Sequence, residues 1–389
     1  MNLCFVCSDY PPGPHGGIGT MTQVLARALV RAGHDARVVG VYDPSYPAPD
    51  RETDAGVEVW RLREPVGRLG WVRARMELFT LVAGWSRTGE VELVDVPDWQ
   101  GWAAGWPRLP VPVVARLNGS ATYFGAELGI PVRRHVRWIE RWSLRRTDFW
   151  CSTSRYTADR TQQVLRHPGP PDAILYNPVD VPPIASAGER SRHSIVYSGT
   201  LTEKKGIISL IRAWPRVAEA MPDAQLEIFG KDGRAASGGS MREHLVSLLR
   251  GQPGEARVHF HGHVTRTELM HALGCARAAI FPSYAEAFAL APLEAMASGC
   301  ATIYSRRGSG PELIDDGRDG LLVDPDQLEE MAEAMIRLLA DDALAATLGA
   351  AGRQRVLDHF SVDTMAERNI EFYAHCIESF DAARASRHN

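Results

Sequence analysis

Short apolar runs alternate with longer amphipathic stretches along almost the whole chain, and this rhythm restricts the fold more than any single residue does. Runs at 2–7 (NLCFVC), 36–41, 57–62, 91–96, 112–117 and 149–152 read as buried strands. Between them lie helical patterns such as 18–32, where Ile18, Met21, Leu25, Ala28 and Leu29 share one face and Gly33 supplies the stop. A second series follows, with strands expected at 194–198, 224–229, 257–261, 278–282 and 300–304. Its helices are expected at 206–220, 238–250, 265–274, 290–298 and 326–340. A strand followed by a helix, repeated, builds a parallel sheet covered by helices. Two such series predict an α/β protein of two Rossmann-like lobes with an interdomain cleft. At 389 residues the chain is long enough for two cores. The Pro-, Ala- and Ser-rich stretch 177–193 reads as the linker. The expected organisation is 1–180 for the first lobe, 181–360 for the second, and 361–389 as a terminal helix packing back on the first.

A net charge of −4 gives no electrostatic reason to bind nucleic acid. The opening MNLCFVCSDYPP has no basic start before its short apolar run, and no stretch reaches the roughly 18 apolar residues of a membrane span, so a cytoplasmic protein is expected. Cys4 and Cys7 form a CxxC, but three-residue spacing on a strand sends the side chains to opposite faces, which favours buried structural thiols. Only three of the 43 cationic side chains are lysines: Lys204, Lys205 and Lys231.

Two of those lysines fall in YSGTLTEKKG (197–206), where a strand ends and a helix begins. Ligands of parallel α/β sheets bind at such an edge, and a lysine there suits a diphosphate. A second segment, SYAEAFALAPLEAMASG (283–299), places Glu286 and Glu294 eight positions apart around a helix start with Pro292 in its first turn. Backbone amides near Phe288, Ala289 and Leu290 would point out of that helix start and suit a phosphate. A third, YPPGPHGGIGT (10–20), carries Gly13, Gly16, Gly17 and Gly19 directly after the first strand. Its spacing is not G-x-G-x-x-G, which argues against an NAD-dependent oxidoreductase.

Together these segments, with RLNGS (116–120), ILYNPVD (174–180) and GRDGLLVDPD (317–326), resemble the retaining family-4 glycosyltransferases of the GT-B fold over nearly the whole chain. The resemblance implies a catalytic set of Glu286, Lys205 and Asn118. It implies a donor site of Gly16, Gly17, Thr200, Lys204, Lys205, Glu286, Phe288, Ala289, Leu290 and Glu294. In it Glu294 would bind ribose, Glu286 the donor sugar and Lys205 the diphosphate. A nucleotide-diphosphate sugar is implied as donor, UDP favoured over GDP, with a small-molecule or glycan acceptor, retention of anomeric configuration, and neither cofactor nor metal. Two residues depart from the family pattern: Thr200 stands where an arginine is usual, and Asn118 where a histidine is usual. They motivate the competing reading of a sugar-nucleotide-binding protein without turnover.

Four weaker signals remain. Asp98 and Trp99 follow a strand and are candidates for acceptor binding, with core packing of Trp99 as the alternative. His259, His261 and His263 would share a strand face with no acidic partner evident, and a strand edge is preferred to a metal site. Asp324 and Asp326 read as a turn capping the helix at 326–340. In RRHVRWIERWSLRR (133–146), Trp138 and Trp142 share a face beside Arg133, Arg137, Arg141 and Arg145; a solvated arginine ladder beside packed tryptophans is preferred to membrane contact.

Overall fold

The computed structural model describes residues 1–67, 69–167, 169–182, 191 and 193–386. Most of the linker stretch, 183–190 and 192, therefore lies outside the described residues. The chain forms two units, one of Met1–Pro178 with Val362–Asn389 and the other of Val179–Ser361.

The first unit holds β1 (Asn2–Val6), α1 (Gly17–Arg31), β2 (Asp35–Tyr42), β3 (Arg51–Asp54), β4 (Val57–Arg63), α2 (Gly70–Thr88), β5 (Leu93–Pro97) and β6 (Val113–Leu117). It continues through α3 (Ala121–Glu127), α4 (Arg134–Arg146), β7 (Phe149–Ser152), α5 (Arg155–Leu165) and β8 (Ala173–Ile174). The sheet order is β3-β4-β2-β1-β5-β6-β7-β8, parallel except for the hairpin partner β3. Both faces are covered, so alternate residues of β1 enter different cores. Cys7 joins Leu3, Phe5 and the α1 residues Met21, Leu25 and Leu29, while Cys4 packs with Val39, Leu78 and Val94 on the other face. Both thiols are free and buried.

The second unit holds β9 (Ser194–Ser198), α6 (Ile207–Ala220), β10 (Gln225–Phe229), α7 (Met241–Leu249), β11 (Val258–Gly262), α8 (Arg266–Cys275) and β12 (Ala278–Phe281). It closes with α9 (Leu290–Ala297), β13 (Ala301–Ser305), α10 (Gly310–Leu313), β14 (Leu321–Val323), α11 (Leu328–Ala340) and α12 (Asp342–His359). All six strands are parallel, in the order β11-β10-β9-β12-β13-β14. The chain then returns to the first unit as α13 (Val362–Ala385). This helix is fastened there by a buried cluster. Arg116 on β6 pairs with Asp95 on β5 at 3.0 Å and donates to Asn369 Oδ1 and the Tyr373 hydroxyl, each at 2.7 Å. The Tyr373 hydroxyl in turn donates to Asp95 at 2.7 Å.

Candidate functional site

In the second unit the chain leaves β9 toward β10 and β11, then crosses back to lay β12 against the other side of β9. The loops after β9 and β12 therefore leave the same sheet edge in opposite directions, which opens a crevice at that edge. The sequence segments with Lys204–Lys205 and with Glu286 are these two loops. They touch closely enough to dictate a residue: Gly206 has φ +71°, and a Cβ there would stand 1.8 Å from the Pro282 carbonyl oxygen. Glycine alone fits both demands without displacement. The Tyr284 amide donates to the Lys204 carbonyl at 2.8 Å, and the Tyr284 hydroxyl meets Ser209 Oγ and Asp326 Oδ1, both at 2.9 Å. Held in this way, Lys205 Nζ lies 2.6 Å from Glu286 Oε1.

Burial alone would raise the Glu286 carboxyl, but the Lys205 and Lys204 charges, with hydrogen bonds from Lys205 and Ser283, outweigh it and hold the group below its usual range. Glu286 is thus an ionised acceptor, unsuited to donating a proton near neutrality. Lys204 is half-buried beside it. Burial and the neighbouring Lys205 pull its ammonium down against the attraction of Glu286. The two lysines bring a pair of cations to one carboxylate, leaving net positive charge for an anion. Thr200, which stands where the family pattern usually has an arginine, is exposed.

Helix α9 begins at Leu290 with Ala289 as its extended N-cap and no side-chain cap. Its first-turn amides lie at the crevice end of the helix, where the dipole favours an anion. Phe288 is a packing anchor, buried with its ring 5.6 Å from Phe360. Glu294, in the second turn of α9, is shifted upward, chiefly by burial and further by Asp180, with Arg266 opposing. Arg266 reaches Asp180 at 3.3 Å and Glu294 at 3.8 Å. Neither Arg266 nor Gly206 had been singled out for the site. Arg266 carried no local signal, since its role depends on Asp180 and Glu294, both distant in sequence.

The remaining candidates belong to the first unit, at the corresponding edge where β1 meets β5. Its glycine loop divides by role. Gly19 is required by the protein itself, since a Cβ there would stand 2.0 Å from the Asp9 carbonyl oxygen, and a Cβ at Gly13 would strike the Tyr46 ring. Contacts within the unit therefore account for glycine at both positions. Gly17 opens onto space, whereas the Gly16 amide is held by the Asp9 carboxylate at 3.0 Å. Asn118 follows β6 and is half-buried; its backbone N–H donates to Asp98 Oδ1 at 2.9 Å. Asp98 is buried, and its Oδ2 has no partner among the described residues. Burial, reinforced by the Glu140 charge and opposed by the Asn118 and Gly119 amides, pushes its carboxyl up to about 7. Trp99 is 41% exposed, so it is not a core residue.

Three weaker expectations are corrected. His261 does have an acidic partner, Glu227 on the neighbouring strand β10 at 2.5 Å, and stacks on Phe229; among the described residues no group of three potential ligands is placed to hold a metal. Asp324 and Asp326 do form the turn that leads into α11, the Asp326 amide donating to Asp324 Oδ1 at 3.0 Å, but the N-cap of the helix is Gln327, which makes no side-chain bond. They clasp Arg307 at 2.8 and 2.5 Å. Trp138 and Trp142 are exposed rather than packed away.

Residues 186–355 match the family Glycosyl transferases group 1, and residues 16–180 match the Glycosyl transferase 4-like domain. The chain is 28% identical over 405 residues to a glycogen synthase of Mycobacterium tuberculosis, covering 96% of this chain and 94% of that protein. It is 29% identical over 402 residues to a GDP-mannose-dependent alpha-(1-6)-phosphatidylinositol monomannoside mannosyltransferase of Mycolicibacterium smegmatis, covering 95% and 97%. Among solved structures, sucrose-phosphate synthase from Thermosynechococcus elongatus superposes with a TM-score of 0.78 at 21% identity, covering 97% of this chain and 99% of that one. Anabaena HepE in complex with UDP and glucose superposes with a TM-score of 0.73 at 16% identity, covering 96% and 100%.

Proposed function

Given that the chain belongs to the family-4 glycosyltransferases of the GT-B fold, we propose that it transfers a hexose from a nucleotide-diphosphate sugar, UDP favoured, with retention of configuration and without a metal. The observation that carries this reading is the Lys205–Glu286 pair at 2.6 Å on the crevice edge of the second sheet. In such a transfer the bond from the anomeric carbon to the diphosphate oxygen breaks and negative charge grows on the leaving group. Fixed charges and dipoles already aimed at that group are the main source of rate. Lys205, Lys204 and the uncapped start of α9 supply them. Glu286, ionised, accepts hydrogen bonds from donor-sugar hydroxyls, and Glu294 accepts from the ribose. In the first unit, half-exposed Trp99 offers a flat apolar face to a sugar acceptor, and Asn118 a neutral amide that binds a hydroxyl without exchanging a proton.

The test is release of nucleoside diphosphate from a panel of UDP- and GDP-sugars, with and without acceptor, in the presence of EDTA. Wild type turns over with EDTA present, and Lys205→Ala and Glu286→Gln each lose roughly 10²–10³-fold in kcat. Unchanged turnover in both variants overturns the site. Calorimetry separates the competing reading that Thr200 and Asn118 motivate, which is donor binding by wild type with no turnover on any acceptor.

A further inference from the structure

We propose that the first unit docks on an anionic phospholipid surface through α4 and the start of α2. Trp71 and Met76 on α2 and Trp138 and Trp142 on α4 are 51%, 64%, 59% and 39% exposed. They line one open groove of about 480 Å³ whose exposed lining is almost wholly apolar. The two α4 tryptophans lie against each other with ring centroids 4.7 Å apart. At the floor of the groove sits Trp106, buried, with an indole N–H that has no acceptor among the described residues. Large apolar side chains gathered in this way on a surface mark a contact site.

The surrounding charge identifies the contact. Helix α4 and the residue before it carry Arg133, Arg134, Arg137, Arg141, Arg145 and Arg146. The one acid on α4, Glu140, is buried and spends both oxygens on the Ala121 and Thr122 amides, each at 3.0 Å. Elsewhere on this unit arginines find carboxylates: Arg27 with Asp54, Arg37 with Glu58, Arg61 with Glu52, Arg160 with Glu127. Arg133, Arg134, Arg137 and Arg145 have no carboxylate partner among the described residues. Their strip is cationic in a chain whose net charge is −4. A helix with tryptophans on one side and unneutralised arginines beside them lies in the plane of a bilayer interface. The indoles enter the headgroup layer and the guanidinium groups meet lipid phosphates. A second copy is disfavoured as occupant, because a two-fold contact would lay the arginine strip against itself. No helix among the described residues is long and apolar enough to cross a membrane, so the seat is on the surface. The inference does not depend on sugar transfer.

Flotation of the full chain with phosphatidylcholine vesicles, pure or containing 30 mol% phosphatidylglycerol, tests it (~30 mol% gives an anionic surface within the range that attracts basic segments). Wild type floats with the anionic vesicles at low salt and its tryptophan emission shifts to the blue. Each arginine near such a surface contributes about a kcal/mol, so Arg133→Gln/Arg137→Gln/Arg145→Gln lowers partitioning about a hundredfold. Trp138→Ala/Trp142→Ala loses the blue shift and the binding that survives raised salt. Circular dichroism and melting verify that both variants fold. Equal binding to both vesicle types, wild-type flotation by both variants, or concentration-dependent self-association abolished by the tryptophan variant without vesicle binding would each overturn the proposal.

Discussion

Replacing Asp98 with asparagine isolates the cost of keeping a carboxyl in that pocket. The native side chain is buried, gives Oδ1 to the Asn118 amide and leaves Oδ2 without a partner among the described residues. Burial, with Glu140 adding to it, pushes the carboxyl from 3.8 up to about 7. A folded carboxyl that holds its proton more tightly than the unfolded chain stabilises the fold fully below the unfolded value, about 3.8, and loses that stabilisation as pH rises to about 7. At 1.36 kcal/mol per unit, the loss between pH 5 and pH 8 comes to about 2–3 kcal/mol. Asparagine keeps an acceptor for the Asn118 amide and has no proton to lose. Melting of wild type and Asp98→Asn across that range should therefore diverge, the variant gaining on wild type by roughly 5–10 °C at the alkaline end, from about 2–4 °C per kcal/mol in a unit of this size. Parallel melting curves would show that the pocket admits water or a counter-charge, and the argument for a buried, half-satisfied Asp98 would fall.

Gly206→Ala introduces a Cβ 1.8 Å from the Pro282 oxygen at a residue with φ +71°. The two loops must part, so donor affinity measured by calorimetry should fall at least tenfold while the melting temperature drops by only a few degrees, about 1–2 kcal/mol of backbone strain. An unchanged affinity would mean the loop contact does not position Lys205. Arg116→Ala leaves Asp95 buried beside Tyr373 without its cation and should cost about 3–5 kcal/mol in urea unfolding. A loss under about 1 kcal/mol would show that α13 is held by its apolar contacts alone.

The two-sheet architecture was legible because apolar strands end at turn residues and helices such as α1 and α6 keep one apolar face; β9, for instance, was read at 194–198 and observed at Ser194–Ser198. Strands β8 and β14, of two and three residues, are too short to show a period, and β3 (RETD) has no apolar residue to mark it, so all three went unread. The two crevice loops of the second unit were legible one at a time, as a lysine pair before a helix and two spaced glutamates. Their meeting was not, because it depends on β12 returning to the far side of β9, and strand order leaves no mark in local spacing. The same limit explains the misread partners. Glu227 faces His261 because β10 and β11 are neighbours, and Arg307 lies across Asp324 and Asp326 because β13 runs beside β14. Periodicity placed Trp138 and Trp142 on one face of α4, and that much was right. Whether a face is covered depends on what packs beside it, and here α2 brings Trp71 and Met76 to the same groove and leaves it open. The intrahelical pattern of a core-facing and of a surface-docking tryptophan pair is the same. What separates them is the balance of charge around the groove, and in this chain that balance is set by Glu140 turning inward to cap α3, which leaves the arginines without a local carboxylate.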